Sequence, residues 1–379
     1  MNDKQICKIC VMDTSDPDIV FFGENGCNHC ISMRSTLGSE WFMDESGKDR
    51  LDQVLQKIKN EGVGKEFDSI LGLSGGVDSS YLALKVYDWG LRPLVVHIDG
   101  GWNSELAIRN IQSVLDFTGW ELQTNVINWN EMKDLQLAYL KSGVANQDVP
   151  QDHAFFASLY SFATRNRIKY VLSGGNTATE GIFPKNWHWA AMDSINLKSI
   201  HKEFGIENLN QYPTTSFFQY YFTYPFVKKM RPVRLLNLIP YVKEEALSEL
   251  EDRIGYLRYP GKHGESSFTR FFQGYFLPYR YGMDKRIPHF SSEIVSQQLT
   301  RDEALSLLEK PLYLPGALER DIQFICRKID ISRAEFEEIL NAPLRNAQDF
   351  SNWGLIHGRL KRVQSLVELL LRRKIKFFS

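Results

Sequence analysis

Residues Phe67 to Val86 read FDSILGLSGGVDSSYLALKV. An apolar run that ends at Leu73 breaks into SGGVDSS, and the chain then resumes with bulky and small residues in alternation. The run has the length and content of a buried strand, Ser69 to Leu73, and the resumption that of a helix, Ser79 to Trp89. Between them, Gly75 and Gly76 permit a tight turn and a close backbone approach. Amides in that turn and at the following helix start point at an anion, with the hydroxyls of Ser74, Ser79 and Ser80 beside them. The stretch is a phosphate cradle. No lysine follows in GxxxxGK spacing and GxGxxG is absent, so neither the Walker turn nor the dinucleotide fingerprint explains it.

The same alternation extends outward from this turn. Leu51, Val54, Leu55 and Ile58 mark a helix over residues 50–60, closed by Gly62 and Gly64. A strand at Pro93 to Ile98, a helix at Glu105 to Thr118, and strands near Gln123 to Ile127 and Tyr170 to Leu172 follow. Strands alternating with helices predict a doubly wound parallel α/β sheet with ligands at the carboxyl ends of its strands. Three turns fall at such ends: Ser74 to Ser80, Asp99 to Ser104 and Ser173 to Glu180. The second of these turns carries Asp99, which can serve as a capping aspartate.

The chain has 379 residues, 43% of them hydrophobic, as expected of an ordinary globular protein. Its formal net charge of −1 leaves no basic excess for a nucleic-acid backbone. MNDKQICKICVMD lacks the layout of a signal peptide, and no apolar stretch reaches bilayer-spanning length, so a cytoplasmic protein without a stable membrane anchor is expected.

Four of the five cysteines stand in the first thirty residues, as Cys7-Lys-Ile-Cys10 and Cys27-Asn-His-Cys30. Each CxxC lets two thiolates of one turn reach the same ion, and two such knuckles make a tetrahedral four-sulfur site that suits zinc. Such a site has no open coordination position, so its metal is structural. The expected organisation is a zinc ribbon over residues 1–45, a nucleotide domain over 46–255, and a lid with a mostly helical region over 256–379.

In the second half, the aromatic run from Tyr212 to Phe226 reads as packing, with base stacking as the alternative. Residues 240–255 form a helix with a glycine stop. Arg258 to Ser292 then gathers Lys262, His263, Glu265, Arg270, Lys285, Arg286 and His289 among glycines and aromatics. Its charges are not segregated from its apolar residues, which suits a lid that brings cations to polyphosphate and an anionic substrate. Lys262, Arg270, Lys285 and Arg286, with Asp78, are the candidate catalytic residues. Thr300-Arg-Asp-Glu303 and Ser332-Arg-Ala-Glu335 are capping boxes, each opening a helix. The last helix carries an Ile356, Leu360, Val363, Val367, Leu370 stripe for packing or for a homodimer contact. Cys326, in DIQFICRKI, is read as a core residue.

SGGVDSS resembles the PP-loop of the ATP pyrophosphatase superfamily, the adenine nucleotide alpha hydrolase-like fold, whose members cut ATP between the α and β phosphates. Ser74, Gly75, Gly76, Asp78, Ser79 and Ser80 are then the ATP and pyrophosphate contacts, and Asp99 lies in the turn where members of that superfamily cover the adenosine, which implies an adenosine contact as the alternative to a helix cap. Gly174 to Glu180, GGNTATE, is similar to the magnesium-binding turn of NAD synthetases. That likeness implies Glu180 as a magnesium ligand beside Asp78, and Asn176 near the nucleotide; a helix-end carboxylate is the alternative for Glu180.

The double CxxC, the SGGVDSS turn and the segment Tyr259 to Ser292 followed by LTRDEAL together resemble the bacterial N-acetyl sugar amidotransferases. This resemblance covers nearly the whole chain. It implies conversion of an acetamido to an acetamidino group on a UDP-linked sugar, with release of AMP and pyrophosphate, in lipopolysaccharide O-antigen or nonulosonic-acid biosynthesis. ATP, Mg2+ and structural Zn2+ are the implied cofactors. Met1-Asn2 offers no N-terminal cysteine nucleophile, so a separate HisH-like glutaminase subunit is expected to deliver ammonia, with a HisF-like cyclase-type subunit as a further candidate partner. The rival readings are a PP-loop tRNA thiolase, an amide-forming synthetase acting on a carboxylate, and a non-catalytic scaffold.

Overall fold

The structure, a computed structural model, describes residues 4–187, 189–259, 264–314, 316–354 and 356–358. Lys262, His263, most of the last-helix stripe and the basic tail lie outside the described residues. After the cysteine knuckles come α1 (Asn28–Glu40) and α2 (Glu45–Glu61). Asp44 starts α2 by accepting hydrogen bonds from the amides of Ser46 and Gly47, and Leu51, Leu55 and Ile58 form its buried face.

The central unit then runs β1 (Ser69–Gly72), α3 (Val77–Asp88), β2 (Pro93–Asp99), α4 (Glu105–Thr118), β3 (Leu122–Val126), α5 (Trp129–Ser142), α6 (Val149–Arg165), β4 (Tyr170–Leu172) and α7 (Thr177–Glu180). Next come α8 (Ser194–Phe204), β5 (Arg231–Val233) and α9 (Lys243–Ile254), which Gly255 ends in the left-handed conformation. The strands form one parallel sheet in the order β3-β2-β1-β4-β5. The parallel doubly wound fold expected from the sequence is therefore the one observed. Because strand side chains alternate in direction, the sheet divides its residues between two cores. Ile70, Leu94, Val96 and Val171 pack with α5, α6 and α8, while Leu71, Val95, Tyr170 and Leu172 pack with α2, α3, α4 and α9.

The lid region is more helical than an open loop. It contains α10 (Ser267–Phe271), a π-helical turn over Phe272–Phe276, α11 (Leu277–Tyr281) and α12 (Arg286–Val295). These are followed by α13 (Arg301–Glu309), α14 (Ala317–Ile329) and α15 (Arg333–Asn341). Both capping boxes form, at Thr300 with Glu303 and at Ser332 with Glu335. Phe268, Phe271, Phe272, Ile322, Ile325 and Phe336 join the core that covers the α5–α6 face of the sheet. Cys326 is buried in that core, and burial raises its thiol pKa. The aromatic run is a π-helix over Gln219–Val227, and Tyr220 and Tyr221 pack against Trp353.

No helix among the described residues is long and apolar enough to cross a membrane.

Candidate nucleotide and acceptor site

The chain runs outward from β1 to β2 and β3, then returns to place β4 on the other side of β1. The sheet's topological switch point is therefore between β1 and β4, where an α/β sheet opens a crevice at the carboxyl ends of its strands. The SGGVDSS and GGNTATE turns both leave the sheet there. Gly75 has φ +80, and a Cβ on it would stand 2.5 Å from the carbonyl oxygen of Ala107 in α4. Left-handed backbone and a backbone neighbour at that distance leave glycine as the residue that fits. A Cβ on Gly174 would lie 3.0 Å from the Ser79 amide nitrogen, so the second turn rests directly on the start of α3.

No side chain caps α3, whose N-cap is Gly76. Its first-turn amides, with the positive end of the helix dipole, face the turn, which is the arrangement that binds phosphate. Ser74 and Ser79 line this nest and hydrogen-bond each other at 3.0 Å, and the Gly76 amide donates to Ser74 Oγ at 3.2 Å. Ser80 is placed differently. Its side chain is fully buried, without a hydrogen-bond partner among the described residues, and does not reach the turn's open side. Tyr256 and Tyr259 secure the turn from behind by donating to the Gly75 carbonyl at 3.1 and 2.9 Å.

Asp78 accepts a hydrogen bond from the buried Tyr241 and a long one, 3.5 Å, from Asn176 Nδ2. Asn176 also caps α7 through the Thr179 amide, at 3.0 Å. Burial, and then the negative charge of Asp78, push the Tyr241 phenol well above its ordinary pKa, so it stays a donor. Glu180 ends α7 and, with Ser74, lines a cavity of about 420 Å³.

The wall of this cavity draws on several elements. Ser74 stands for the PP-loop, His97 for β2, and Trp102 and Asn103 for the turn after it. Asp148, Gln151, Asp152 and Phe155 come from the start of α6, and Glu265, Ser266, Thr269 and Gln273 from the lid. Glu180, Phe183, Lys285 and His289 complete it. The lid is sewn to the β2 turn like a short antiparallel strand: Ser104 N donates to Glu265 O, and Ser267 N to Trp102 O, both at 2.8 Å. It is tied to α6 by Thr269 Oγ1 and Gln273 Nε2, which donate to Asp148 at 2.9 and 3.2 Å. Asp152 has its carboxyl pushed up to about 7 by burial and by Asp148, with Lys285 acting in the opposite direction.

The proposed cations are dispersed. Lys285 lines the cavity, with its Nζ 3.9 Å from the Phe183 ring centroid. Arg270 instead makes a bidentate pair with Asp321, and Arg286 binds Asp284 and the carbonyls of Leu307, Leu308 and Lys310 that end α13. The described part of the lid therefore brings one lysine, Lys285, and one carboxyl, Glu265, to the cavity, and the other carboxyls of its wall come from α6 and α7. Asp99 is occupied by its own turn, accepting from Gly101 N at 2.7 Å and Asn103 Nδ2 at 3.0 Å. Asp148 and Asp152 escaped the sequence reading because VANQDVPQDH matches no motif; only the fold of α6 brings them to the strand ends.

At the N-terminus, Cys7, Cys10, Cys27 and Cys30 are buried and free of disulfides, with sulfurs within 4.8 Å of one another. Cys7–Cys30, Cys10–Cys27 and Cys27–Cys30 are each 3.8 Å apart. Tetrahedral coordination with metal–sulfur bonds of about 2.3 Å requires sulfur spacings of about 3.8 Å, so the set fits a bound metal. The Ile9 and Met12 amides donate to Cys7 and Cys10 sulfurs, as expected around thiolates. This knot packs against elements that flank the cavity. Its apolar core includes Ile182, just after α7, and Ile287 of α12, and Arg301 donates to the Cys7 and Cys10 carbonyls.

A separate polar groove of about 490 Å³ runs between β3, α6 and the 211–228 segment, and none of the motif residues line it.

Fold and site define a parallel α/β protein with a glycine-rich, anion-binding turn at its switch point and an N-terminal four-cysteine cluster spaced for a metal. Residues 265–364 match the family model described as LPS biosynthesis protein WbpG-like, C-terminal domain. That match spans about a quarter of the chain and agrees with the resemblance drawn from the double CxxC, the SGGVDSS turn and the segment that follows Tyr259.

Among solved structures, NMN synthetase from Francisella tularensis is similar at 14% identity, covering 80% of this chain and 99% of its own, with a TM-score of 0.37. The NH3-dependent NAD synthetase from Campylobacter jejuni is 12% identical over 58% of this chain and all of its own, with a TM-score of 0.28. The U34-tRNA thiolase NcsA from Methanococcus maripaludis, with its [4Fe-4S] cluster, is 13% identical over 73% and 85%, with a TM-score of 0.34. No curated protein matches.

Proposed function

We propose that the protein is an ATP-dependent amidotransferase that converts the acetamido group of a UDP-linked N-acetyl sugar to an acetamidino group, releasing AMP and pyrophosphate. The observation that carries this reading is the SGGVDSS turn at the switch point, with positive-φ Gly75, an uncapped helix start and no Walker lysine. A nest of this kind holds the end of ATP that departs as pyrophosphate, leaving the α-phosphate open to attack.

An acetamido carbon is a poor electrophile without a leaving group. Attack of its oxygen on the α-phosphorus forms a P–O bond, breaks the bond to pyrophosphate and gives an O-adenylyl imidate. Ammonia then adds to the imidate carbon, and AMP leaves with the C–O electron pair. Ser74, Ser79 and the α3 amides hold the departing phosphates, while Lys285 offsets charge on the cavity side. Magnesium, held by Asp78 and Glu180 together with phosphate oxygens, would supply charge neutralisation. Zinc is the ion proposed for the four cysteines, where it fixes the fold rather than activating water.

Ammonia is proposed to come from a separate glutaminase subunit, since Cys326 is buried in the core and no cysteine lines the cavity. The same fact disfavours the thiolase reading, which needs reactive sulfur near the nucleotide. Surface-polysaccharide synthesis is the proposed setting, in line with the WbpG-like domain.

The test is incubation with ATP, magnesium and heavy-nitrogen ammonium over a panel of UDP-linked N-acetyl sugars, followed by mass spectrometry. One sugar should take up a single heavy nitrogen with stoichiometric AMP. AMP release driven by carboxylate acceptors or tRNA, with no labelled sugar, would overturn the proposal.

A further inference from the structure

We infer that Asp152 is the group that takes the proton from the attacking ammonia, and that the start of α6 forms the acetamido and ammonia subsite of the cavity. This inference rests on the function proposed above and assigns its second half-reaction.

Other polar groups of the wall are already engaged. His97 donates from Nδ1 to the Leu73 carbonyl and accepts at Nε2 from Asn103. His289 Nδ1 donates to the Thr179 carbonyl. Asp148 accepts from Thr269 and Gln273, which fixes its carboxylate between α6 and the lid. Lys285 is a cation and cannot accept a proton in its charged form. Asp152 lines the cavity, yet among the described residues no hydrogen bond or ion pair holds its carboxyl. Unengaged carboxyl oxygens facing a cavity are what a proton-accepting step requires.

The chemistry gives this group a specific step. Adenylation leaves the imidate carbon bonded to the sugar N–H and to the AMP oxygen, with a positive charge shared with nitrogen. Ammonia adds through its lone pair to give a C–NH3+ group. One of its protons passes to the Asp152 carboxylate, leaving C–NH2. The C–O bond then breaks, its electron pair goes to AMP, and the positive charge remains on the product as an amidinium. Asp148, held in place beside Asp152, balances that cation as it forms. Carboxyls on the acceptor side of a phosphate-transferring cavity, otherwise an obstacle to an anionic ligand, are suited to an amidinium product. Burial and Asp148 hold the Asp152 carboxyl near neutrality, where a general base is effective.

The experiment separates the two half-reactions in wild type, Asp152→Asn and Asp152→Glu, each checked by thermal melting. Acceptor-dependent exchange of labelled pyrophosphate into ATP, without ammonium, reads adenylation. Labelled amidine formed with ammonium reads the second step. For Asp152→Asn, amidine formation should fall on the order of 100-fold further than exchange does. Asp152→Glu should restore part of that gap. Equal loss of both reactions, or no loss of either, overturns the assignment of Asp152. Absence of acceptor-dependent exchange in wild type overturns the underlying function instead.

Discussion

Gly75→Ala is expected to damage this protein far more than the addition of one methyl group suggests. Two costs act together. The residue has φ +80, a conformation that costs a non-glycine residue about 1–3 kcal/mol. Its new Cβ would also stand 2.5 Å from Ala107 O and 3.0 Å from Ala107 Cα. Both are backbone atoms of α4, so no side-chain rotation relieves the contact, and overpacking adds roughly 1–3 kcal/mol. The sum is about 2–6 kcal/mol unless the turn lifts away from α4. Lifting would stretch the bonds from Tyr256 and Tyr259 to the Gly75 carbonyl and shift the amides that face phosphate.

Gly76→Ala is the internal control, because the atoms nearest its Cβ are the Ser74 hydroxyl at 3.3 Å and the Glu265 carboxyl at 3.5 Å, both on movable side chains. Denaturant midpoints of the two variants, with acceptor-dependent pyrophosphate exchange, provide the readout. Gly75→Ala should be the less stable of the pair or, if stable, should have lost exchange. A Gly75→Ala protein with wild-type stability and wild-type exchange would refute the account of the turn.

Three further outcomes follow from single contacts in the structure. Tyr241→Phe removes a donor from Asp78; loss of a bond to a charged acceptor costs about 1.5–3 kcal/mol, and the magnesium concentration for half-maximal exchange should rise. An unchanged magnesium profile would contradict the placement of Asp78. Stripping the cysteine site with a chelator, or Cys27→Ser, should increase hydrogen exchange at Ile182 and Ile287 and reduce ATP turnover, although no cysteine lines the cavity. Full activity and unchanged protection in the stripped protein would show the knot to be independent. His153 is buried with Nδ1 donating to the Ala191 carbonyl and Nε2 accepting from Thr215 N, and burial lowers its pKa from 6.5 to about 4. Its contribution is therefore complete above pH 6.5 and is lost as pH falls towards 4, a difference of roughly 3 kcal/mol. His153→Gln should show a smaller drop in urea midpoint between neutral pH and pH 4.5 than wild type, and an equal drop would contradict this.

Sequence carried much of the fold because local signals there agree with the tertiary structure. The strand-turn-helix at residues 69–88, the helix at Glu105–Thr118, the short strand Tyr170–Leu172 and both capping boxes each rest on neighbouring residues alone. The double CxxC is likewise local, and its sulfurs meet at tetrahedral spacing. Elements that depend on distant partners were less legible. Strand β5, three residues containing Pro232, exists because it pairs with β4, and nothing in its own pattern announces it.

The lid shows the same limit in its charges. Arg270 and Arg286 look like free cations in sequence, but their partners, Asp321 and the end of α13, lie tens of residues away or on another element. Asp148 and Asp152 are the converse case, ordinary helix-start acids that the packing of α6 against β1 and β2 carries to the strand ends. Lys262 and His263 lie outside the described residues.

The central claim is that the acetamido oxygen itself is adenylated, and its fate can be followed directly. A UDP-linked N-acetyl sugar bearing heavy oxygen in the acetamido group is incubated with the protein, ATP, magnesium and ammonium, and the nucleotide product is examined by mass spectrometry. The account predicts one heavy oxygen in the AMP phosphate for each amidine formed and none in pyrophosphate. Labelled inorganic phosphate with ADP, or unlabelled AMP alongside the amidine, would contradict it.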